Sequence, residues 1–259
     1  MDGSLDYYGA KALLEWQIDL GVTETISESP INRYEVPEKA PKPVVAAAPE
    51  APVKAPEVDP VAEAEKMARA AASLEELEAA LAAFPHCELK KGARNLVFAR
   101  GNPAARVMVI AGAPGRDADR AGLPLAGADA GLFDKMFAAI GLGLETPDTE
   151  AAIYLSLVLP WRPPQDRPPN PAEIDMLMPF VARHVELADP DILVLMGNTP
   201  CLGVLGRKGI TRLRGQWVEA FGRPALPIVP PAQLMNKPLA KRDAWADLLS
   251  LQAKLHGRD

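Results

Sequence analysis

An apolar segment at residues 106–111 is followed by glycines, which allow close approach to a ligand, and by carboxylates, which can accept a proton. The next residues are Gly112-Ala113-Pro114-Gly115, followed by Arg116, Asp117 and Asp119. Glycine lets a backbone approach a ligand closely, and a carboxylate can activate water. The Walker and dinucleotide spacings are both absent. The segment is therefore either a ligand-binding loop or a plain tight turn.

Basic residues are concentrated in two later loops. Residues 159–164 form a proline-rich loop that contains Trp161 and Arg162. Residues 206–215 (GRKGITRLRG) carry Arg207, Lys208, Arg212 and Arg214 between glycines. Basic side chains in this setting suit contacts with phosphates, although a solvated loop has the same composition.

The charge and composition bound the class of protein. The net charge is −6, but residues 1–83 hold 7 Lys and Arg against 16 Asp and Glu, whereas residues 84–259 hold 21 against 18. A mildly basic body is compatible with phosphate partners. Cys87 and Cys201 are too few for a disulfide framework. No apolar run is long enough to span a membrane and no secretion signal is evident, so we expect a cytoplasmic monomer.

The elements that position these residues begin with an acidic N-terminal region. Residues 1–35 form a helical segment, with an amphipathic helix at residues 6–20 that Gly21 ends. Residues 36–60 contain recurrent prolines and read as a semi-extended linker. Residues 61–84 are a helical lead-in, in which Ser73 and Glu76 predict a capping box. A compact domain is expected over residues 85–257.

That domain alternates strands with helices. Strands are predicted at residues 106–111, 153–159, 191–196 and 225–229, and two of them are nearly all apolar. Helices are predicted from a stripe at Leu132–Ile140, after Asn170 as cap, and around residues 241–255. The last of these would bury Ala244, Trp245, Leu248 and Leu255. We therefore predict a three-layer α/β/α sandwich with a central four-stranded parallel sheet. In open sheets of this kind ligands bind at the carboxyl ends of the strands.

Five segments in register resemble the uracil-DNA glycosylase superfamily, and its family-4 type most of all. They read VMVIAGAPGRDADRAGLPLAG, the Arg162-Pro163-Pro164 loop, PF..RH..LADPDILVLMGNT, ITRLRG.W and AKR.AW.DL. The resemblance covers roughly residues 87–255. It implies a DNA-facing groove and a pocket for a flipped-out uracil, because the glycosidic bond cannot be reached inside the base stack.

The residues that the family uses for chemistry are substituted. Gly112 stands where the family has the acid that handles the attacking water, and Leu125 replaces the aromatic that stacks on uracil. Leu157 replaces the Asn that reads the base edge. The family's His-Pro-Ala-Tyr-Leu-Leu-Arg motif is PPAQLMN here, so Pro230 replaces the His and Asn236 the Arg. Ala113, Pro114 and Gly115 keep the frame of the pocket.

The family's iron–sulfur cysteines are also substituted. Only Cys87 falls on a cluster position, and Phe84, Trp161 and Leu177 fall on the others. A cluster needs several thiolates, so none is expected here. His86, His184 and His256 lie away from the predicted strand ends, and we expect them to be surface or helix residues.

Three hypotheses about function remain open. The first is a degenerate glycosylase-fold protein that binds DNA weakly, with Arg162, Arg207, Lys208, Arg212 and Arg214 as candidate contacts, and with uracil excision lost or weak. The second is an active DNA glycosylase in which Asp117 or Asp119 supplies the carboxylate. The third is a scaffold that binds a protein partner through its N-terminal helix and proline-rich linker, without salt-sensitive DNA affinity.

Overall fold

The computed structural model describes residues 7–21 and 59–257. They belong to two compact units, which lie within Met1–Ala55 and Pro56–Asp259. The predicted linker at residues 36–60 falls outside the described residues except for its last two positions, and the predicted boundaries at 35, 60 and 84 remain predictions. Within the described ranges no helix is long and apolar enough to cross a membrane.

The first unit contains one described helix, α1 (Tyr7–Asp19). It ends as the sequence predicts: Gly21 has φ of +86°, and its N–H donates to the carbonyl of Ile18 at 2.9 Å. The apolar side chains of α1, among them Leu14 and Trp16, are exposed.

The second unit is built on one six-stranded sheet in the order β1-β3-β2-β4-β6-β5. The four inner strands are parallel and confirm the four predicted strands within a few residues at each end. The strands are β1 (Ala99–Gly101), β2 (Val107–Ala111), β3 (Ile153–Leu157), β4 (Ile192–Met196), β5 (Val218–Ala220) and β6 (Arg223–Ile228).

The two edge strands were not predicted, and both are antiparallel to their neighbours. Each is three residues long and only partly buried, so neither carries the apolar run that marks a strand in sequence. β5 and β6 form a hairpin whose two turn residues, Phe221 and Gly222, have φ of +52° and +72°. Positive φ at both turn residues is the backbone that matches the twist of a two-residue hairpin.

Helices cover both faces of the sheet, which confirms the three-layer prediction. The side chains of β2 alternate: Met108 and Ile110 pack with α2, α3 and α6, whereas Val107 and Val109 pack with α5 and α10. The helices of this unit are α2 (Pro60–Ala70), α3 (Leu74–Ala83), α4 (Arg116–Ala121), α5 (Ala128–Ala138), α6 (Pro171–Ala188), α7 (Asn198–Leu205), α8 (Ile210–Leu213), α9 (Pro231–Asn236) and α10 (Lys241–Leu255).

The helix starts follow their capping residues. Ser73 accepts a hydrogen bond from the N–H of Glu76 at 3.2 Å, and the N–H of Asn170 donates to the Glu173 carboxylate at 2.8 Å. The apolar stripe predicted for α10 is wrong at Trp245, which is 43% exposed, while Leu251 is fully buried. The helix turns its Leu248–Leu251 side toward the sheet, and Trp245 falls outside that face.

Candidate functional site

The carboxyl ends of the parallel strands bring the predicted loops together at one edge of the sheet. The loop after β3 is tied to the loop after β2, because the N–H groups of Val158 and Leu159 donate to Ala111 and Gly112 at 2.9 and 3.0 Å. The end of β4 is tied to β6 in the same way, by the N–H of Gly197 and the carbonyl of Ile228 at 3.0 Å. These bonds fix the loops relative to each other.

A cavity of about 400 Å³ opens between the loops after β2 and β3, and we name it the strand-end cavity. A larger cavity of about 480 Å³ lies between α2 and α6, away from the strand ends. The strand-end cavity has the size of a small-molecule site. Its lining is Ala111, Ala113, Pro114, Gly115, Arg116, Asp117, Ala118, Leu125, Ala126, Ala128, Asp129, Leu157, Arg162 and Asp166.

All five pocket positions predicted from the sequence lie in this lining, namely Ala113, Pro114, Gly115, Leu125 and Leu157. Leu157 is the last residue of β3 and is 7% exposed. Leu125 has φ of +51°, an uncommon backbone for a leucine, and such conformations persist where the surrounding structure holds them. Both leucines present only hydrocarbon to the cavity.

The two motif positions assigned to catalysis, Gly112 and Pro230, are not in the lining of this cavity. A side chain at Gly112 would start 3.2 Å from Oγ1 of Thr199, at the beginning of α7. Pro230 is the N-cap residue of α9, and its ring lies near Gly197, which follows β4. Neither position carries a group that can accept or donate a proton.

The two fallback carboxylates differ in their surroundings. Asp117 is exposed, lines the strand-end cavity, and has Arg116 as an ion partner at 3.7 Å. Asp119 is buried, and its Oδ1 accepts hydrogen bonds from the backbone N–H groups of Arg94 and Asn95 at 2.8 and 3.2 Å. The carboxylate of Asp119 therefore joins α4 to the segment before β1, whereas that of Asp117 faces the cavity.

Two more carboxylates in the lining were not anticipated. Burial raises the pKa of Asp129, and the neighbouring charge of Asp117 raises it further. Asp166 is held by Arg162 through two hydrogen bonds of 2.7 and 2.8 Å, which lower the pKa of Asp166. No motif marks Asp129 or Asp166, which lie just before the Leu132–Ile140 stripe and just after the Arg162-Pro163-Pro164 loop.

The predicted basic contacts separate into paired and unpaired residues. Arg214 forms an ion pair with the buried carboxylate of Asp247, whose Oδ2 lies 2.7 Å from Nε, so Arg214 holds α10 against the sheet. Arg162 is paired with Asp166. Arg207, Lys208 and Arg212 are exposed and form no ion pair within the described residues.

The loop that carries Arg207 and Lys208 is anchored to the end of β4. Oδ1 of Asn198 accepts hydrogen bonds from the N–H groups of Gly209 and Ile210 at 3.1 and 2.9 Å. This contact joins the first residue of α7 to the end of the loop at residues 206–209 and to the start of α8. The exposed basic side chains therefore project from a fixed backbone at the edge where the strands end.

Another cavity, of about 360 Å³, adjoins the strand-end cavity and shares Arg116 and Arg162 with it. We name it the arginine pocket, and sequence reasoning missed it. Four of its seven lining residues are arginines, and the lining is Gly92, Ala93, Arg94, Arg116, Asp119, Arg120 and Arg162. One signal was present, since residues four apart on a helix share a face and Arg116 and Arg120 both lie on α4.

The four family cluster positions pack together in one hydrophobic core. Phe84, Cys87, Trp161 and Leu177 are each less than 5% exposed, and Phe84 meets Phe180 edge-to-face at 5.4 Å. Burial raises the pKa of the Cys87 thiol, whereas a cluster ligand must be a thiolate. These residues do not fit an iron–sulfur cluster: three lack a sulfur ligand and their side chains fill the space.

One histidine lies in the core of the sheet–helix interface. His184 on α6 is 4% exposed, with Nε2 2.8 Å from the Tyr154 hydroxyl and Nδ1 3.1 Å from the Ser156 hydroxyl. Its ring stacks on Phe98 with 4.5 Å between centroids. It is a helix residue as predicted, and it is far from solvent. His86 is bound to Glu63 at 2.6 Å, and His256 is exposed.

Known proteins resemble this chain in sequence. A sequence model described as the uracil DNA glycosylase superfamily matches residues 98–249, which is more than half of the chain. The chain is 29% identical to the type-4 uracil-DNA glycosylase of Archaeoglobus fulgidus over 184 residues, covering 68% of this chain and 89% of that protein.

Two further relatives carry the same description. The type-4 uracil-DNA glycosylase of Sulfurisphaera tokodaii is 30% identical over 149 residues, which cover 56% of this chain and 66% of that protein. That of Thermotoga maritima is 28% identical over 153 residues, covering 58% of this chain and 77% of that protein. With the family model matching from β1 to α10, this chain belongs to the uracil DNA glycosylase superfamily.

Proposed function

We propose that this chain is a DNA-binding member of the superfamily, of the base-excision-repair type, that does not excise uracil with the family's catalytic groups. It binds DNA at the edge where the parallel strands end and keeps the cavity that a flipped base would enter. Relatives named type-4 uracil-DNA glycosylases support DNA as the partner.

The observation that carries this proposal is the lining of the strand-end cavity. Leu125 and Leu157 both line it. The resemblance to the family assigns the contacts with the base to these two positions. Uracil presents two carbonyl oxygens and an N–H, and a leucine can neither donate nor accept a hydrogen bond. Burying the uracil edge against leucine would leave its polar atoms without partners, which costs about 1–3 kcal/mol for each unsatisfied group.

The chemical step lacks its groups as well. Gly112 cannot handle an attacking water, and Pro230 has neither a proton nor a charge to stabilise a departing base. The ring of Pro230 lies near Gly197, and the hydroxyl of Thr199 is the group nearest to the place that a side chain at residue 112 would take. In the proposed function, the residues at positions 112 and 230 therefore take no part in catalysis.

The basic side chains at the strand-end edge support contact with DNA. Arg207 and Lys208 are exposed, on a loop that Asn198 holds in place. Arg212 is exposed one turn further on. Side chains that neutralise phosphates release counterions, so affinity falls steeply with salt.

Excision is tested with labelled single- and double-stranded oligonucleotides that contain one uracil, incubated with micromolar protein and then treated with alkali. We expect no strand cleavage above the no-protein control, while an active type-4 enzyme cuts the same substrate. Cleavage by this chain that survives further purification contradicts the proposal, because the four substituted positions would then be dispensable.

Binding is tested by fluorescence anisotropy of a labelled single strand at several salt concentrations. We expect Arg207→Gln/Lys208→Gln to weaken binding and to reduce the slope of log affinity against log salt by about 0.7 for each phosphate that is no longer neutralised. The control Lys66→Gln/Arg69→Gln removes two exposed charges from α2. Wild-type protein with no salt-dependent affinity would instead favour the scaffold hypothesis, in which a protein partner contacts α1 and the linker.

A second candidate function has one observation in its favour. Asp117 lines the strand-end cavity and is exposed to it, so this carboxylate can reach a water beside a bound nucleotide. An active glycosylase built on Asp117 would lose its activity in Asp117→Asn. The same variant leaves the phosphate-dependent part of DNA binding in place, which separates catalysis from affinity.

A further inference from the structure

We infer that the arginine pocket is a phosphate subsite, and that it takes the phosphate of a nucleotide whose base lies in the strand-end cavity. This inference rests on the DNA-binding function proposed above and names the part of the nucleotide that each cavity holds. The ligand chemistry is a phosphate group attached to a deoxyribonucleoside.

The lining of the pocket selects an anion. It carries four guanidinium groups and a single carboxylate, that of Asp119. That carboxylate is buried and already accepts two backbone hydrogen bonds, from Arg94 and Asn95. The guanidinium groups therefore outnumber the carboxylate around a concave space of about 360 Å³. Guanidinium is the side chain best matched to phosphate oxygens, because it donates two parallel hydrogen bonds.

The arginines come from three separate parts of the chain, and local contacts hold those parts together. Arg94 is placed by the bond from its own N–H to Asp119, which lies on the same short helix as Arg116 and Arg120. Arg162 is oriented by its two hydrogen bonds to Asp166. Arg94 and Arg120 are exposed and form no ion pair within the described part of the chain, so their donors are available to a ligand.

Charge decides which end of a nucleotide enters which cavity. The strand-end cavity contains three carboxylates, those of Asp117, Asp129 and Asp166, against the guanidinium groups of Arg116 and Arg162. Burial raises the pKa of Asp129, and the charge of Asp117 raises it further. A phosphate there would add to that repulsion, whereas a neutral base would not. The arginine pocket has the opposite balance. Because the two cavities share Arg116 and Arg162, one nucleotide can place its base in the first and its phosphate in the second.

The phosphate can come from a DNA strand or from a free nucleotide, and two titrations distinguish these sources. The first uses fluorescence anisotropy of a labelled ten-nucleotide single strand. The second uses calorimetry with thymidine 5′-monophosphate, with unphosphorylated thymidine as its reference. Both use the full chain and the same variants, so the two sources are compared on one protein.

The test variant is Arg94→Gln/Arg120→Gln, since both side chains line the arginine pocket and neither lines the strand-end cavity. The control is Lys66→Gln/Arg69→Gln on α2, which removes the same net charge elsewhere. All four side chains are exposed, so each variant is expected to fold, and its melting temperature is measured first.

We expect the test variant to weaken binding of the single strand about tenfold and to lower the salt slope by about 0.7, the contribution of one phosphate contact. We expect the control to change both quantities much less. Thymidine monophosphate should bind more tightly than thymidine to wild-type protein, and this preference should disappear in the test variant. A monophosphate that binds as tightly as the strand identifies the free nucleotide as the source.

Equal weakening by the two variants would overturn the inference, because the effect would then follow from net charge alone. Unchanged DNA binding in the test variant would overturn it too, while the proposed function stood. If wild-type protein binds no DNA, the proposed function fails and the monophosphate titration decides the subsite. In that case, a preference of wild-type protein for the monophosphate over thymidine that is lost in the test variant supports the phosphate subsite. If wild-type protein binds the two ligands equally, the phosphate subsite is refuted.

Discussion

Acidification will destabilise this protein through His184 before most carboxylates titrate. The Ser156 hydroxyl donates to the carbonyl of Phe98 at 3.3 Å, which leaves its oxygen to accept from Nδ1–H of the imidazole. Nε2 then accepts from the Tyr154 hydroxyl. A second proton on the ring would have to point at that hydroxyl inside the core. The neutral ring is therefore the form that the fold holds.

The size of the effect follows from the shift in pKa. Burial lowers the pKa of His184 from 6.5 to about 4. Between these two values the unfolded chain binds a proton that the folded chain does not, so the free energy of unfolding falls as the pH falls. The full shift corresponds to about 3 kcal/mol, with a slope of up to about 1.4 kcal/mol per pH unit. As the pH rises above 6.5 the unfolded chain also loses this proton, and by about pH 7.5 the effect has nearly vanished.

Urea unfolding followed by circular dichroism at pH 7.5, 6.5, 5.5 and 4.5 measures this slope. His184→Gln keeps a polar side chain without a titrating ring, and His256→Gln is the control because His256 is exposed. We expect wild-type protein and the control to lose stability in parallel as the pH falls, and His184→Gln to lose much less over the same range. Parallel curves for all three proteins would refute the argument, whatever the absolute stability of His184→Gln.

Three further predictions concern residues with substituted or reassigned roles. Arg214→Gln leaves the buried carboxylate of Asp247 without its ion partner and should lower the free energy of unfolding by about 3 kcal/mol or more, measured in urea. A change within error would mean that this ion pair does not stabilise the fold, and Arg214 would again be a candidate DNA contact. Purified protein should show no visible absorbance and no stoichiometric iron, and a brown preparation would contradict the packing argument. Some uracil excision should appear when the family's side chains are restored together by Gly112→Glu, Leu125→Phe, Leu157→Asn and Pro230→His. More excision should appear when Thr199→Ala is added, because it removes the oxygen nearest the new side chain at residue 112. A folded variant that stays inert counts against the alignment of the strand ends.

The inner sheet could be predicted because its strands are buried on both faces. VMVIA in β2 and ILVLM in β4 are uninterrupted apolar runs, and both lie between two parallel neighbours. The edge strands have no such run, since each has three residues of mixed character. Periodicity also misassigned Trp245, because a large apolar residue beside a buried stripe satisfies the same spacing as one within it.

The lining of the strand-end cavity could be predicted in part, whereas the adjoining arginine pocket could not. Ala113, Leu125 and Leu157 were located through a family motif whose frame is retained. The arginine pocket was not found, because Arg94 and Arg162 lie far from α4 in sequence. The approach of Arg94 to α4 depends on the bond between Asp119 and the backbone N–H of Arg94, and a side-chain contact to a backbone group leaves no pattern in sequence.

The hairpin at the edge of the sheet has a consequence for the order of folding. β5 and β6 are joined by two residues whose backbone already matches the hairpin, so this pair closes a very short loop, on the microsecond scale of isolated hairpins. β2 and β4 pair across more than eighty residues and must wait for a much larger loop to close. The most apolar strands are thus the last to be covered on the way to the native state. During that interval VMVIA and ILVLM are open to pairing with other chains, and we expect refolding yield to fall as protein concentration rises.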